Sequence, residues 1–227
     1  MPFPDVSERA AEIRDRIRDA LARGGHGQRV TIVAVTKTHG ADAVAAAWAA
    51  GIHDVGENRV QEALSKMQEV TVPVRWHLIG HLQRNKARSL ERFAVLHALD
   101  SSRLADAVCA VGVRTGNPVD ALLQVNVAGE ATKGGFEPHE VRAEAERLVG
   151  LSGVCVRGVM TMAPYEAPEA VLRATFRGAR EAREVLREAG HPADELSMGM
   201  SGDYEIAVEE GATMVRLGTI LFGSRPA

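Results

Sequence analysis

The 227-residue sequence predicts a single (β/α)8 barrel of the TIM type with an extra N-terminal helix. Three observations support this fold class. Short runs rich in Val and Ile alternate with Ala-, Glu- and Arg-rich stretches of helical period, as expected for buried parallel strands joined by helices. The strand-like runs number about eight, which is the number that closes a barrel. Most of these runs end in small or polar residues, and in a parallel barrel such ends share one mouth.

The predicted elements follow one another regularly along the chain. Ile13, Ile17 and Leu21 recur every fourth residue before Gly24-Gly25, which predicts an amphipathic N-terminal helix. The predicted strands are Val30–Thr36, Ile52–Val55, Val74–Ile79, Ala94–Ala98, Ala121–Val127, Val154–Met160, Glu195–Met198 and Thr213–Leu217. The predicted helices between them are Ala41–Ala50, Val60–Glu69, Ser102–Val113, Pro138–Leu148, Ala170–Ala189 and Asp203–Glu210. Because no linker interrupts this alternation, we expect one domain over residues 1–227.

Composition excludes several classes of function. The 27 Lys and Arg residues against 30 Asp and Glu residues give a net charge of -3, so nothing global attracts nucleic acid or anionic lipid. The two cysteines, Cys109 and Cys155, lie in apolar stretches and do not suggest a disulfide framework. The first residues are too charged for a signal peptide, and no apolar run approaches the ~20 residues of a membrane span. We therefore expect a soluble, cytoplasmic protein.

Lys37 is the first candidate for chemistry. It ends the run VTIVAVTK, which places its amine in the barrel mouth, partly desolvated, where a neutral nucleophile is favoured and imines can form. The alternative is an ordinary solvated lysine at the end of a strand.

Arg216 is the second candidate. In TMVRLGTILFG it shares one face of a strand with Met214 and Gly218. A buried guanidinium stays charged and must find an acceptor. That acceptor is either a barrel carboxylate or the ring nitrogen of a heteroaromatic ligand.

Two small-residue turns suit a phosphate group. Met200-Ser201-Gly202-Asp203 precedes a predicted helix, and Gly218-Thr219 follows the last strand. Barrels of this fold frequently bind phosphate in the loops after the seventh and eighth strands. Each turn alone is also a routine cap.

Asn58 and His81 add polar groups to the same mouth, although loop capping would explain either one alone. We find no metal-ligand spacing, nucleophile elbow or nucleotide-binding loop, and we interpret the basic stretch 83–88 as a solvated helix start.

Six segments together resemble a known family. They are AVTK at 34–37, GENRVQE at 56–62, WHLIGHLQRNK at 76–86, KGGF at 133–136, LSMGMSGD at 196–203 and TMVRLGTILFG at 213–223. They span nearly the whole chain and resemble the pyridoxal phosphate homeostasis protein family, whose barrel is like the N-terminal domain of alanine racemase. The resemblance implies a monomer that binds pyridoxal 5′-phosphate (PLP), buffers vitamin B6 or delivers it to PLP-dependent apo-enzymes, and has no established reaction.

The resemblance also implies roles for individual residues. Lys37 would form a Schiff base with PLP, and Arg216 would face the pyridine nitrogen. The phosphate would be held by Ser201, Gly202, Gly218 and Thr219, and the ring pocket would be lined by Asn58, His81 and Met200. Thr36 stands where the family commonly has serine, and His39-Gly40 where Lys-Pro is more usual, which could alter the opening of the pocket.

A carrier role agrees with the chemistry of these residues. Arginine keeps its proton, so the ring nitrogen stays unprotonated and the ring is a weaker electron sink. Racemisation needs a second base, which alanine racemases take from a partner's C-terminal domain, whereas this sequence ends at Ala227 and offers only the phenols of Tyr165 and Tyr204. An amino-acid racemase is the alternative function. A third is a Schiff-base aldolase acting on sugar phosphates, with Glu57 as its proton shuttle.

Overall fold

Eight parallel strands form a closed barrel in the order of the sequence, within the residues that the computed structural model describes, 3–130 and 132–223. The strands are β1 Thr31–Val35, β2 Asp54–Glu57, β3 Arg75–Leu78, β4 Val95–Leu99, β5 Val119–Gln124, β6 Val154–Met160, β7 Glu195–Ser197 and β8 Met214–Leu217. Pairing of β8 with β1 closes the barrel, with Val33 opposite Arg216. The predicted fold class is confirmed.

Helices surround this barrel. They are α1 Val6–Gly24, α2 Ala41–Ala49, α3 Val60–Glu69, α4 Ser102–Thr115, α5 Val141–Val149, α6 Glu169–Glu188, α7 Tyr204–Glu209 and α8 Thr219–Phe222. The predicted N-terminal helix is α1, which buries Ile13 and Ile17 and packs against α2, α7 and α8. It ends where predicted, because Gly25 takes the left-handed conformation at φ 69° that glycine adopts without steric cost.

The core consists of two apolar clusters. The larger lies between the strands and the helices and includes the fully buried Phe176, Leu104 and Leu186. The smaller includes Val33 and Met214, and we place it inside the barrel because alternate residues of a strand face opposite sides. Most strand residues are thus buried on both faces of the barrel wall, which explains the continuous apolar runs in the sequence.

Several predicted boundaries differ from the structure by a few residues. Strand β2 is Asp54–Glu57 instead of Ile52–Val55, so Glu57 belongs to the strand and not to the loop after it. The basic stretch 83–88, interpreted as a solvated helix start, begins a helix of the 3-10 type, Arg84–Arg92. The helix predicted from Pro138 is a 3-10 turn followed by α5, because a capping box between Glu137 and Glu140 closes the first turn separately.

Among the described residues, none of the helices combines the length and hydropathy that crossing a membrane requires.

Candidate functional site

The residues singled out from the sequence follow the strands at one end of the barrel, which we call the C-terminal mouth. Because all strands are parallel, the segments after β1, β2, β3, β7 and β8 open at this mouth. The candidate residues in these segments are Lys37, Asn58, His81, Met200, Ser201, Gly202, Gly218 and Thr219, and Arg216 lies within β8.

Lys37 is half-buried, and the described residues offer its amine no polar partner. Continuing the alternation along β1 from the interior residue Val33 puts Lys37 on the inner side of the barrel. No hydrogen bond or ion pair holds Lys37 Nζ within the described part of the chain. By contrast, the amine of Lys66 is bonded to Glu57, and that of Lys133 lies 2.6 Å from a carboxylate oxygen of Glu130.

A buried ion pair fixes the backbone beside Lys37. Lys66 Nζ donates to the carbonyl oxygen of Thr36 at 2.7 Å and to Glu57 Oε1 at 2.6 Å. Thr36 Oγ1 donates to the same carboxylate oxygen at 2.5 Å. On the other side of Lys37, the N–H of Thr38, whose φ is 69°, donates to Glu62 at 2.5 Å. These contacts hold the residues on both sides of the lysine.

Glu57 is therefore not a proton shuttle at the mouth. Its side chain is fully buried between β2 and α3, on the opposite side of the strand from the barrel interior. Burial raises the pKa of this carboxyl, although the hydrogen bonds from Lys66 and Thr36 act in the opposite direction. The aldolase alternative, which needed Glu57 at the mouth, is wrong on this point.

Arg216 is buried with neutral partners. Its guanidinium donates to Ser197 Oγ at 2.6 Å and to the carbonyl oxygen of Thr161 at 2.9 Å. Across residues 3–130 and 132–223 it forms no ion pair, so of the two acceptors that the sequence left open, the barrel carboxylate is wrong. Burial lowers the pKa of Arg216 to about 10, with Asp203 acting in the opposite direction, so the group remains charged at neutral pH. Two of its five N–H donors are engaged, which leaves donor capacity for a ligand.

The two small-residue turns lie side by side. Ser201 Oγ accepts a hydrogen bond from the backbone N–H of Ile220 at 3.4 Å, which joins the turn after β7 to the first turn of α8. The β7 turn is closed by Met200, whose N–H donates to Asp203 at 2.6 Å. A Cβ built on Gly202 meets no atom within 4 Å, so open space adjoins this backbone. An anion could approach the N–H groups of both turns together.

Asn58, His81 and Met200 surround the mouth at different depths. Asn58 is half-buried, and its carbonyl oxygen lies 2.4 Å from the position of a Cβ on Gly80, so only glycine permits this approach of two loops. The imidazole of His81 is 69% exposed and bonded to Asp100 at 2.6 Å, which places it at the rim. Met200 is 37% exposed.

Neither tyrosine adds a phenol to the inner mouth. Tyr165 is 88% exposed, and Tyr204 packs into the core next to Arg16 of α1. The partners of Arg216 were missed by the sequence analysis. Ser197 at the end of the short apolar strand β7 was the available signal.

Comparisons with known proteins identify the family. The family model described as alanine racemase, N-terminal domain, matches residues 9–226. Pyridoxal phosphate homeostasis proteins of Aquifex aeolicus and Pseudomonas aeruginosa are each 41% identical to this chain, covering 97% of it and 99% and 96% of their own lengths.

Solved structures agree with this similarity. PipY of Synechococcus elongatus, solved with PLP bound, is 39% identical with a TM-score of 0.85, covering 96% of this chain and all of its own. Alanine racemase from Corynebacterium glutamicum shares the fold, with a TM-score of 0.76 at 14% identity over 99% of this chain and 62% of that enzyme. This chain belongs to the alanine racemase N-terminal domain family and, within it, to the pyridoxal phosphate homeostasis proteins.

Proposed function

We propose that this protein binds PLP at the C-terminal mouth, as a Schiff base on Lys37, and serves as a carrier in vitamin B6 homeostasis. One observation carries the proposal. A buried, charged Arg216 with neutral partners lies on β8, which pairs with β1, and β1 leads to Lys37, whose amine has no partner in the described part of the chain. A guanidinium with spare donors suits a ring nitrogen, which accepts a hydrogen bond without taking the proton. The PLP bound in PipY supports the same assignment.

The remaining residues fit the other parts of PLP. The bound cofactor supplies an aldehyde for the amine and an electron-withdrawing ring. The adjacent turns supply Ser201, Gly202, Gly218 and Thr219 for the phosphate, which is supported by the hydrogen bond that joins the two turns and by the open space beside Gly202. Asn58 and Met200 border the ring, and His81 stands at the rim.

A carrier role follows from the residues around the amine. Arg216 holds its proton and leaves the ring nitrogen unprotonated, which disfavours carbanion chemistry. The phenols of Tyr165 and Tyr204 lie away from the inner mouth, and Glu57 faces α3. The proposal comprises one cytoplasmic, monomeric PLP-binding domain that delivers PLP to PLP-dependent apo-enzymes.

Alanine incubated with the loaded protein in deuterated water should keep its α-proton, and exchange at a useful rate would contradict the carrier role.

The test compares absorption spectra of purified protein titrated with PLP. Wild type should take up PLP and gain the band of a Schiff base. Lys37→Ala should lose this band, whereas the control Lys86→Ala should retain it. A wild type that does not take up PLP, or a K37A variant with an unchanged band, refutes the proposal.

A further inference from the structure

A chain of hydrogen-bonded side chains crosses the inside of the barrel and ends on Arg216. Arg216 contacts Ser197 Oγ at 2.6 Å, and Ser197 Oγ lies 2.8 Å from His97 Nδ1. His97 Nε2 lies 2.8 Å from His77 Nδ1, and His77 Nε2 lies 2.8 Å from Asp54 Oδ1. All five residues are buried. We call this set, from Asp54 to Arg216, the barrel relay.

With both imidazoles neutral, the hydrogens of the barrel relay have one self-consistent arrangement. Asp54 accepts from His77 Nε2–H, which leaves His77 Nδ1 as an acceptor for His97 Nε2–H. His97 Nδ1 then accepts the hydroxyl proton of Ser197, whose oxygen accepts from Arg216. Every donor therefore points from the guanidinium towards the carboxylate. Hydrogen bonds aligned in this way polarise one another.

The charges of the relay agree with this arrangement. Burial, together with His77 and Arg216, lowers the pKa of His97 well below its ordinary value, so His97 is neutral. Although burial opposes ionisation of Asp54, hydrogen bonds from His77 and Arg75 bring its pKa below the ordinary value. The two imidazoles thus lie between a cation at one end of the relay and an anion at the other.

The anionic end lies at the opposite end of the barrel, the N-terminal mouth. Asp54 is the first residue of β2 and is paired at 2.8 Å with the solvent-exposed Arg75, the first residue of β3. A cleft of about 330 Å³ opens there, and His77 and Asp120 are among its lining residues. The relay therefore joins this cleft to the residue proposed to face the cofactor ring.

An apolar core would fill the same space at a lower desolvation cost. Buried polar groups of this kind are tolerated when every member is satisfied, and replacing them with apolar residues is often neutral or stabilising. Packing alone therefore does not account for the relay. A role in holding the guanidinium accounts for the relay, because Arg216 has no ion-pair partner in the described residues and depends on neutral acceptors.

We propose that Asp54, His77, His97 and Ser197 are positioning residues, which orient Arg216 and couple the N-terminal mouth electrostatically to the ring of bound PLP. This inference rests on the proposed function, because it requires the ring nitrogen to face Arg216. Removing the negative charge at Asp54 changes the polarisation along the relay, and with it the hydrogen bond that Arg216 offers to the ring. The absorption of the PLP adduct reports this change.

The test pairs Asp54→Asn with a matched control, Asp120→Asn. Both carboxylates line the same cleft and each accepts from an arginine at 2.8 Å, Asp54 from Arg75 and Asp120 from Arg157, but only Asp54 joins the relay. We expect D54N to shift the absorption maximum of the PLP adduct relative to wild type, and D120N to leave it in place. Ser197→Ala, which interrupts the relay without removing a charge, should shift the maximum as well.

A measurement on the ligand-free wild type tests the relay even if the relay variants fold poorly. In the 15N spectrum of unloaded wild type, the imidazoles of His77 and His97 should each carry a proton on Nε2 and none on Nδ1, and His191→Asn should leave their signals unchanged. A proton on Nδ1 of either ring would overturn the relay. Normal PLP uptake with identical maxima for wild type, D54N and S197A would refute this inference alone. A wild type that takes up no PLP would refute the proposed function and this inference with it.

Discussion

Replacing Lys66 with methionine removes one half of the buried ion pair beside Lys37. Glu57 is fully buried and the Lys66 side chain is 8% exposed, so the variant leaves an uncompensated carboxylate in the interior. Breaking such a buried pair costs about 3–5 kcal/mol of unfolding free energy. The matched control is Lys133→Met, whose amine pairs with Glu130 at 22% and 33% side-chain exposure. Partly exposed pairs of this kind contribute about 0–1 kcal/mol.

Urea unfolding at neutral pH, followed by circular dichroism, measures both variants. K66M should unfold at a clearly lower urea concentration than K133M, with a similar slope. The double variant Lys66→Met with Glu57→Gln should recover part of the loss, because it removes the stranded charge and keeps an acceptor for Thr36. Equal losses for K66M and K133M would refute the argument, and so would full additivity in the double variant.

The penalty in K66M should also depend on pH. Burial already places the pKa of Glu57 above its ordinary value, and loss of Lys66 raises it further. Between the unfolded and folded pKa values, the folded state binds the proton more readily, so stability falls as pH rises through this window and is level above it. The difference between K66M and wild type should therefore grow from acidic to neutral pH. A difference that is constant or shrinks would contradict the assignment.

The remaining predictions concern the mouth. Ser201→Ala combined with Thr219→Val should raise the dissociation constant of PLP at least about tenfold, since each hydrogen bond to a charged group contributes about 1.5–3 kcal/mol. The affinity for pyridoxal, which lacks the phosphate, should change little. Equal losses of affinity for both ligands in a titration would show that the turns are merely structural. Gly80→Ala should cost about 1–3 kcal/mol in urea unfolding, because its Cβ would lie 2.4 Å from the carbonyl oxygen of Asn58; unchanged stability would contradict this contact. Gly202→Ala should change stability by less than about 0.5 kcal/mol yet weaken PLP binding, since its Cβ meets no atom within 4 Å; wild-type affinity would place the phosphate elsewhere.

The barrel could be predicted from the sequence because its signals are local. Alternation of apolar and helical runs depends only on neighbouring residues, and each predicted strand overlaps an observed one. The position of the mouth followed from the same pattern, since polar residues after parallel strands must share one end. The signal failed at β2, where Gly56 and Glu57 look like loop residues but continue the strand.

The interior contacts could not be predicted, because they depend on register between distant strands. Lys66 and Glu57 show no local pairing pattern in the sequence, and their contact requires α3 to fold back on β2. The barrel relay joins β2, β3, β4, β7 and β8, so no local window contains it. Its one visible trace is a histidine within each of two apolar strands, His77 in β3 and His97 in β4.

The most direct test of the account is to reduce the PLP-loaded protein with borohydride and map the modified lysine by peptide mass. Lysines occur at positions 37, 66, 86 and 133. The amines of Lys66 and Lys133 are engaged by carboxylates, and Lys86 lies in the 3-10 helix Arg84–Arg92. These three lysines therefore serve as internal controls. We expect a pyridoxyl group on the peptide that contains Lys37 and unmodified peptides for the other three positions. A label distributed among all four lysines, or placed on another one, would contradict it.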